Sequence, residues 1–187
     1  MKFRYIIILL LFSSAYCVAQ DLSFLDENNG YKEYKFGKSP NELINIEKPD
    51  DWNDEFYTSQ NIVPYNYNGS NINTFLNSPV YNVDFWFFKD KLFGIGFTLG
   101  VLREDFSLRE FGELKNYLTE IFGTEYHLGK SKPGIVKCYI WKGKKVTLEI
   151  TLSDFDYDLP EEERRPTVCY MYMYENELNT EMKKSQF

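Results

Sequence analysis

Residues 80–99 read VYNVDFWFFKDKLFGIGFTL, and this stretch decides the class of fold. Residues 80–88 and 92–99 are rich in aromatic and β-branched side chains, which favour strands. The polar residues 89–91 between them are too few for anything but a tight turn. The stretch therefore predicts an antiparallel β-hairpin.

A second hairpin is predicted nearer the C-terminus. Residues 135–142 and 145–152 are strand-forming segments, and the turn residues Gly143 and Lys144 separate them. Residues 167–174 have the same character and predict a last strand.

A helix is predicted between the two hairpins. Ser107 and Glu110 have the spacing of a capping box, and Gly123 stands where a helix C-cap belongs. Apolar residues recur at helical spacing between them and form one face. These residues are Leu108, Phe111, Leu114, Leu118 and Ile121.

A shorter helix is predicted upstream of the first hairpin. Ser39, Pro40 and Glu42 again have the pattern of a helix start, and Pro49 ends the segment. The segment 50–78 is rich in Asn, Asp and Ser and predicts a long loop, with one strand near residues 62–67. Residues 21–30 predict a loose lead-in, residues 31–36 a short strand, and the tail from residue 175 a frayed end.

The two hairpins resemble each other at a shift of 53 residues, when residues 85–99 are placed on residues 138–152. Four identities result, at Lys89 and Lys142, Lys91 and Lys144, Thr98 and Thr151, and Leu99 and Leu152. The pattern suggests a duplication of residues 36–100 as residues 105–175. The alternative is that strand alternation alone forces the apolar matches, since any two hairpins share that period.

The fold class predicted from these elements is α+β. We expect a single antiparallel sheet built from two helix–hairpin units, with the helices packed on one face, in one domain over residues 21–187. The alternation of side chains assigns one apolar face to the core. Its predicted residues are Phe85, Phe87, Phe93, Ile95, Phe97, Cys138, Ile140, Val146, Leu148, Ile150, Met171 and Met173.

The opposite face mixes aromatic residues with Thr, Gly and one charge, at Glu149, so we expect it to meet water. Tyr and Trp combine a large apolar area with a polar group, which suits recognition of a partner. The predicted partner-binding residues on this face are Trp86, Phe88, Tyr139, Trp141, Tyr170 and Tyr172. The alternative is that these rings pack beneath residues 50–78 or the termini.

The N-terminus has the pattern of a secretory signal peptide over residues 1–20. Lys2 and Arg4 precede an apolar run at residues 5–12, which is too short to span a bilayer, and small residues follow. The alternative is a lipoprotein signal ending at Cys17. We therefore expect an exported protein, periplasmic or secreted.

Composition excludes some classes of protein. Of the 187 residues, 43% are hydrophobic and 18% aromatic, which argues against global disorder. The net charge is −7, and loss of residues 1–20 would leave 19 basic against 28 acidic residues, or −9. An acidic chain is a poor counterion for phosphates, so no nucleic-acid partner is expected. No second apolar run in the mature chain could span a membrane.

The sequence carries no strong catalytic, metal or cofactor motif. The one histidine, His127, has no nucleophile motif around it. Residues 154–158 place carboxylates as an EF-hand loop does, but Leu159 and Arg165 stand where Gly and Glu are required. We predict neither a metal nor a cofactor. Cys138 and Cys169 could form a disulfide only if their strands are adjacent, and are otherwise buried thiols.

The order of a capped helix, an aromatic hairpin and a second helix with a hairpin resembles small exported bacterial α+β proteins of unassigned function. It is also similar to the β-lactamase-inhibitor-protein-like fold, over about residues 36–175. That fold includes periplasmic protein inhibitors and a small lipoprotein of outer-membrane assembly. The resemblance implies a partner protein docked on the open sheet face.

Three functions follow from these observations. The first is an exported, non-enzymatic binding module that docks a protein partner through the aromatic sheet face, as an inhibitor or immunity protein does, and the negative net charge favours a basic partner. The alternative is an envelope carrier of a small ligand, a lipid or glycan, held between the sheet and residues 50–78. The third is a hydrolase that uses carboxylates near residues 154–163.

Overall fold

The computed structural model describes residues 22–50, 61–130, 132–154, 159 and 165–186. The predicted signal peptide and most of the acidic segment 154–163 lie outside the described residues. The first described elements are helix α1 (Ser23–Asn28) and a ribbon of two short strands, β1 (Gly30–Tyr31) and β2 (Tyr34–Lys35).

The remaining strands form the main sheet, and two longer helices flank it. The strands are β3 (Ile46–Glu47), β4 (Ile62–Tyr67), β5 (Thr74–Phe75), β6 (Ser78–Phe88), β7 (Lys91–Leu99), β8 (Tyr126–Leu128), β9 (Ile135–Lys142), β10 (Val146–Ser153) and β11 (Val168–Glu175). The helices are α2 (Leu108–Phe122) and α3 (Asn176–Lys184).

The described part of the main sheet has nine strands and antiparallel pairing throughout. The order across the sheet is β3-β4-β6-β7-β11-β10-β9-β8, and β5 pairs with the start of β6. The α+β class with an antiparallel sheet is confirmed. The expectation of a sheet made from two hairpins alone is wrong, because β11 inserts between them and further short strands extend both edges.

The first hairpin lies where the sequence predicts it. Lys89 and Asp90 have φ angles of 51° and 58°, the left-handed conformation that a two-residue hairpin turn of type I′ requires. Trp86 then pairs with Gly94 while Phe87 pairs with Leu92, so Phe93 is an extra residue in a β-bulge. The bulge places Phe93 in a cluster away from the main core, which corrects its predicted position.

The second hairpin also forms, with a longer loop than the two residues Gly143 and Lys144, and the face predicted for its first strand is wrong. Pairing ends at Lys142 and Thr147, and four residues lie between them. A loop of even length pairs an odd-numbered residue with an even-numbered one, so Leu148 lies opposite Trp141. Cys138 and Ile140 therefore lie on the face opposite Leu148, and their assignment to the core face is wrong.

The core lies between one sheet face and elements from both ends of the chain. Helix α2 forms as predicted, with the capping box of Ser107 and Glu110 and a buried face that includes Leu114 and Leu118, but Leu108 of the predicted face is exposed. The helix expected from Ser39 is only a 3-10 turn, Pro40–Glu42, because the chain then extends to pair β3 with β4.

The other half of the core face is covered by α1 and the β1–β2 ribbon. Tyr34 is fully buried, and its ring lies 4.7 Å from that of Phe85. Asp26 of α1 accepts hydrogen bonds from the backbone N–H groups of Lys144, Lys145 and Val146 at 2.8–2.9 Å. The described part of the lead-in, residues 22–30, is thus part of the fold rather than loose.

The C-terminal tail is a helix, so the expectation of a frayed end is wrong. The Glu175 carboxylate accepts a hydrogen bond from the Leu178 N–H and caps α3. Met182 packs on the second sheet face, in a small cluster with Ile62, Phe88 and Phe93. Helices therefore lie on both sheet faces, not on one.

The two cysteines of the described chain are free. Strand β10 separates their strands, and Cys138 lies opposite Thr151 while Cys169 lies opposite Leu152. Neighbouring residues of one strand point to opposite faces, so the two thiols lie on opposite sides of the sheet. The adjacency that a disulfide needs is absent.

Candidate binding face

Three of the six predicted partner-binding residues lie together on the sheet face opposite α2. Trp86 of β6 and Tyr170 and Tyr172 of β11 are half-buried there. We call this surface the open face. It consists of Asp84, Trp86, Cys138, Ile140, Glu149, Thr151, Ser153, Tyr170, Tyr172 and Tyr174.

The structure removes the other three residues from the predicted surface. Phe88 points to the same side as Trp86 but is only 1% exposed, because α3 covers it. Trp141 is fully buried in the core, and its Nε1–H donates to the Gly123 carbonyl at 3.1 Å. Tyr139 packs on the core side, with its ring 5.9 Å from that of Phe111.

Two glycines set the position of Trp86. A Cβ on Gly94 would lie 2.7 Å from Cε3 of the indole, and a Cβ on Gly96 would lie 2.5 Å from Cη2. Such distances are below any ordinary contact, so the ring can lie against β7 only where side chains are missing. The Gly-x-Gly spacing in the first hairpin therefore serves close packing, as its place within a strand predicts.

A row of three rings crosses the open face. The Trp86 and Tyr172 rings are 5.8 Å apart at 35°, and the Tyr172 and Tyr170 rings are 6.0 Å apart at 12°. These separations are typical of attractive aromatic pairs. The row is thus held in place by its own contacts and by the two glycines beneath Trp86.

A groove of about 400 Å³ runs beside this row. Its floor includes Glu149, Thr151 and Ser153 of β10, and its walls include Tyr170 and Tyr172. Ser153 is 1% exposed, and its Oγ has no hydrogen-bond partner among the described residues. The groove therefore combines aromatic walls with a polar floor.

A second hollow, of about 310 Å³, adjoins the groove and shares Glu149 and Tyr172 with it. It lies between the open face and α3. Trp86, Tyr174, Asn179 and Lys183 also line it, with the apolar side chains of Ile62, Phe93 and Met182.

Two carboxylates of the open face are half-buried. Glu149 accepts a hydrogen bond from Thr151 Oγ1 at 3.1 Å, and Asp84 accepts from Asn82 Nδ2 at 2.9 Å and 3.0 Å. Over the described ranges the ion pairs are Lys89–Glu181 and Arg109–Glu113, so neither carboxylate has a basic group at ion-pair distance there. Both present negative charge to the face.

Burial raises the pKa of Asp84, although its hydrogen bonds to Asn82 lower it. Burial also raises the pKa of Tyr174, and the nearby charge of Glu149 adds to the increase. Burial also raises the pKa of Tyr170. The positive charge of Arg165 lowers this pKa, and the negative charge of Asp84 raises it. The carboxylates and the tyrosines therefore share one electrostatic environment, in which the phenols stay protonated.

The thiol on this face is not activated. Burial raises the pKa of Cys138 to about 11, with smaller contributions from Thr151 and Glu149. The thiolate is the nucleophilic form, so this environment opposes nucleophilic chemistry. His127 lies exposed in β8, on the far side of β9 from β10. In the residues that the structure describes, no three His, Cys, Asp or Glu side chains are grouped to hold a metal.

Sequence reasoning missed Asp84, Ser153, Cys138 and Ile140 as members of the open face. For Cys138 and Ile140, the signal was the even number of residues in the loop between β9 and β10. In the described part of segment 50–78, Ile72 and Phe75 pack on the core side, while Ile62 of β4 lies in the cluster beside α3 on the open-face side. Residues 51–60 lie outside the described chain.

A comparison with protein-family models, curated proteins and solved structures finds no match to this chain. The similarity to the β-lactamase-inhibitor-protein-like fold therefore stays a prediction. No helix in the described ranges is long and apolar enough to cross a membrane.

Proposed function

We propose that this chain is an exported, non-enzymatic binding module that docks a basic protein partner on its open face. The observation that carries the proposal is the row of Trp86, Tyr172 and Tyr170, half-exposed beside two carboxylates without a basic partner among the described residues. An inhibitor or immunity protein would use such a face.

The aromatic row supports docking on energetic grounds. Trp and Tyr dominate the residues that contribute most to protein interfaces, because they bury a large area at low cost in side-chain entropy. Here the rings are already held by Gly94, Gly96 and one another. Binding therefore requires little further ordering of the side chains.

The charge of the face supports a basic partner. Asp84 and Glu149 are too deeply placed to be fully hydrated, so a partner that supplies Lys or Arg side chains would compensate both. Cationic groups also bind favourably over aromatic rings. The net charge of −7 favours encounter with such a partner.

The groove supports a second candidate function, the carriage of a small glycan. Its volume of about 400 Å³ is in the range of small-molecule sites, and the Ser153 hydroxyl on its floor has no partner in the described chain. Hydroxyl groups of a sugar could satisfy it. A lipid fits the groove less well, because the floor of the groove is polar.

The described carboxylates do not favour a hydrolase. Asp84 and Glu149 lie on β6 and β10, three strand spacings apart, or about 14 Å at the backbone. Paired carboxylates of glycoside hydrolases are closer, at up to about 9.5 Å. The carboxylates that the sequence suggests for this role, near residues 154–163, lie mostly outside the described chain.

The proposal is tested by capture of a partner from envelope extract with tagged residues 21–187. The wild type is compared with W86A/Y172A and with Y117A, which changes an exposed tyrosine of α2 on the other side of the molecule. We expect the wild type and Y117A to bind one stoichiometric basic protein, and the double variant to lose it.

Urea unfolding of all three proteins confirms that loss of binding is not loss of fold. Equal capture by W86A/Y172A would contradict the docking face. A glycan found by native mass spectrometry in place of a protein partner, and lost in S153A, would support the carrier instead.

A further inference from the structure

The hollow beside α3 has an unusual combination of walls. Three aromatic rings, those of Trp86, Tyr172 and Tyr174, surround it together with the Glu149 carboxylate. Asn179 and Lys183 of α3 close one side.

We propose that this hollow is a subsite for an alkylammonium group, the side chain of a lysine on the docked protein. The inference rests on the proposed function, since it identifies the chemistry of one anchor within that docking face. Three separate observations carry it, and each concerns a different interaction with a cation.

The first observation is the arrangement of the rings. An ammonium group is attracted to the face of an aromatic ring, and cages of several rings are the usual sites for alkylammonium ligands. Trp86 and Tyr172 have their centroids 5.8 Å apart, and Gly94 and Gly96 hold the indole against the sheet. These two walls therefore exist before a ligand arrives.

The second observation is the charge at the boundary between the hollow and the groove. Glu149 accepts side-chain hydrogen bonds from neutral groups, those of Thr151 and Cys138, and forms no ion pair with a described basic residue. Glu149 and Tyr174 both line the hollow, and the Glu149 charge acts on the Tyr174 phenol, whose pKa it helps to raise. A half-buried carboxylate of this kind gains most from a cation that can leave water with it.

The third observation is that the chain already brings one of its own cations to this cage. The Lys183 ammonium lies 5.9 Å from the centroid of the Tyr174 ring, at the rim of the hollow. Lys183 is exposed, in the last turn of α3. It shows the kind of group that these rings accept, and it competes with a lysine from outside.

The test is a titration of residues 21–187 with the peptide acetyl-Gly-Lys-Gly-amide, followed by NMR of the tryptophan indole N–H groups. The same peptide with norleucine in place of lysine keeps the four-carbon side chain and removes the ammonium group. We expect the lysine peptide to shift the Trp86 signal at millimolar concentrations, and the norleucine peptide to leave it in place. The signal of Trp141, buried and hydrogen-bonded to Gly123, is the internal reference.

Two pairs of variants separate the cage from general effects of charge. E149Q is expected to weaken lysine-peptide binding about tenfold, while E177Q, an exposed change on α3, leaves it unchanged. K183A is expected to strengthen binding, because it removes the internal competitor, and K184A is the matched control. Equal shifts by both peptides, or equal affinities of E149Q and the wild type, would overturn the proposal.

The outcomes also separate this subsite from the docking face. If W86A/Y172A loses the partner while E149Q keeps full affinity, the docking face stands and the lysine subsite is wrong. If W86A/Y172A still captures the partner, the docking face is wrong, and the peptide titration decides the subsite by itself. A stronger response to an arginine peptide than to the lysine peptide would overturn the choice of an ammonium ligand.

Discussion

Gly96 is the residue that makes room for the aromatic row, and its role differs from that of Gly112 in α2. A methyl group at Gly96 would meet Cη2 of Trp86 at 2.5 Å, whereas one at Gly112 would meet nothing within 4 Å. Gly96→Ala should therefore displace the Trp86 ring and weaken partner binding. Gly112→Ala should raise the free energy of unfolding by about 0.5–1 kcal/mol, because Ala favours the helix interior.

Partner affinity and urea unfolding, measured on both glycine variants, check this prediction. Gly112→Ala is expected to bind as the wild type does. Unchanged affinity in Gly96→Ala would mean that Trp86 can move away from β7 without loss of the docking surface. The glycines would then not be required for partner binding.

Asp84 links the stability of the protein to pH in a direction opposite to that of most surface carboxylates. Because its pKa is raised in the folded state, ionisation of this group opposes folding. The destabilisation is complete above the folded-state pKa. It disappears as the pH falls below about 4, where the carboxyl is protonated in the unfolded chain too.

Asp84→Asn should therefore raise the free energy of unfolding near pH 7, and the gain should shrink as the medium is acidified. Urea unfolding at several pH values measures the difference, with the exposed Glu120→Gln as the control. The same variant should bind a basic partner less tightly. A gain that persists unchanged to acid pH would show that Asp84 is not destabilised by its burial.

The N-cap of helix α2 should contribute more to the stability of the protein than the N-cap of the 3-10 turn at Pro40–Glu42. Both begin with a Ser-x-x-Glu capping box, at Ser107 and at Ser39. Only α2 extends for fifteen residues and buries a face against the sheet, while the shorter turn buries none of its residues.

Ser107→Ala should lower the free energy of unfolding by about 1 kcal/mol, and Ser39→Ala by no more than a few tenths. The cap loses the hydrogen bond from the Glu110 N–H to Ser107 Oγ, and the pKa of Glu110, which the Ser107 contacts lower, should rise toward its ordinary value. Chemical denaturation of the two variants measures the difference. Equal losses would mean that the Ser39 turn anchors more of the chain than its packing indicates.

The elements that sequence reasoning predicted are those whose signal is local. Both hairpins, β4, β11 and α2 follow from side-chain alternation or helical spacing within a few residues. The helix expected from Ser39 failed because its continuation forms strand β3, and that pairing with β4 is a long-range contact. Helix α3 was missed because its buried side, Met182, depends on a sheet face formed elsewhere in the chain.

The candidate site was predicted only in part, because the residues of β9 were assigned to the wrong faces of the sheet. Trp86, Tyr170 and Tyr172 were placed correctly, while Tyr139 and Trp141 were exchanged with Cys138 and Ile140. In the first hairpin, the bulge at Phe93 restores the pairing of Phe85 with Ile95 that a simple alternation predicts. The second hairpin has a four-residue loop between Lys142 and Thr147 and no such bulge near its turn. The two hairpins therefore differ in the faces of their first strands, and the duplication stays a prediction.

At the scale of the whole molecule, negative charge is available on two opposite surfaces. The open face carries Asp84 and Glu149, and the helix side carries Glu113 and Glu120 of α2, both exposed. Charges on a docking face accelerate association with a basic partner, and salt screens them over about 8–10 Å. A charge on the opposite side is farther from the partner and should contribute little.

D84N/E149Q and E113Q/E120Q change the net charge equally and differ in the surface affected. Association rates measured by surface plasmon resonance from low to high salt should fall several-fold for the wild type and for E113Q/E120Q. D84N/E149Q should associate more slowly at low salt and respond less to added salt. Equal effects of the two pairs would show that the total charge, rather than the open face, attracts the partner. No salt dependence in any of the three proteins would exclude a basic partner. Dissolved ions screen the attraction between the carboxylates of Asp84 and Glu149 and the cations of such a partner, so added salt must slow their association.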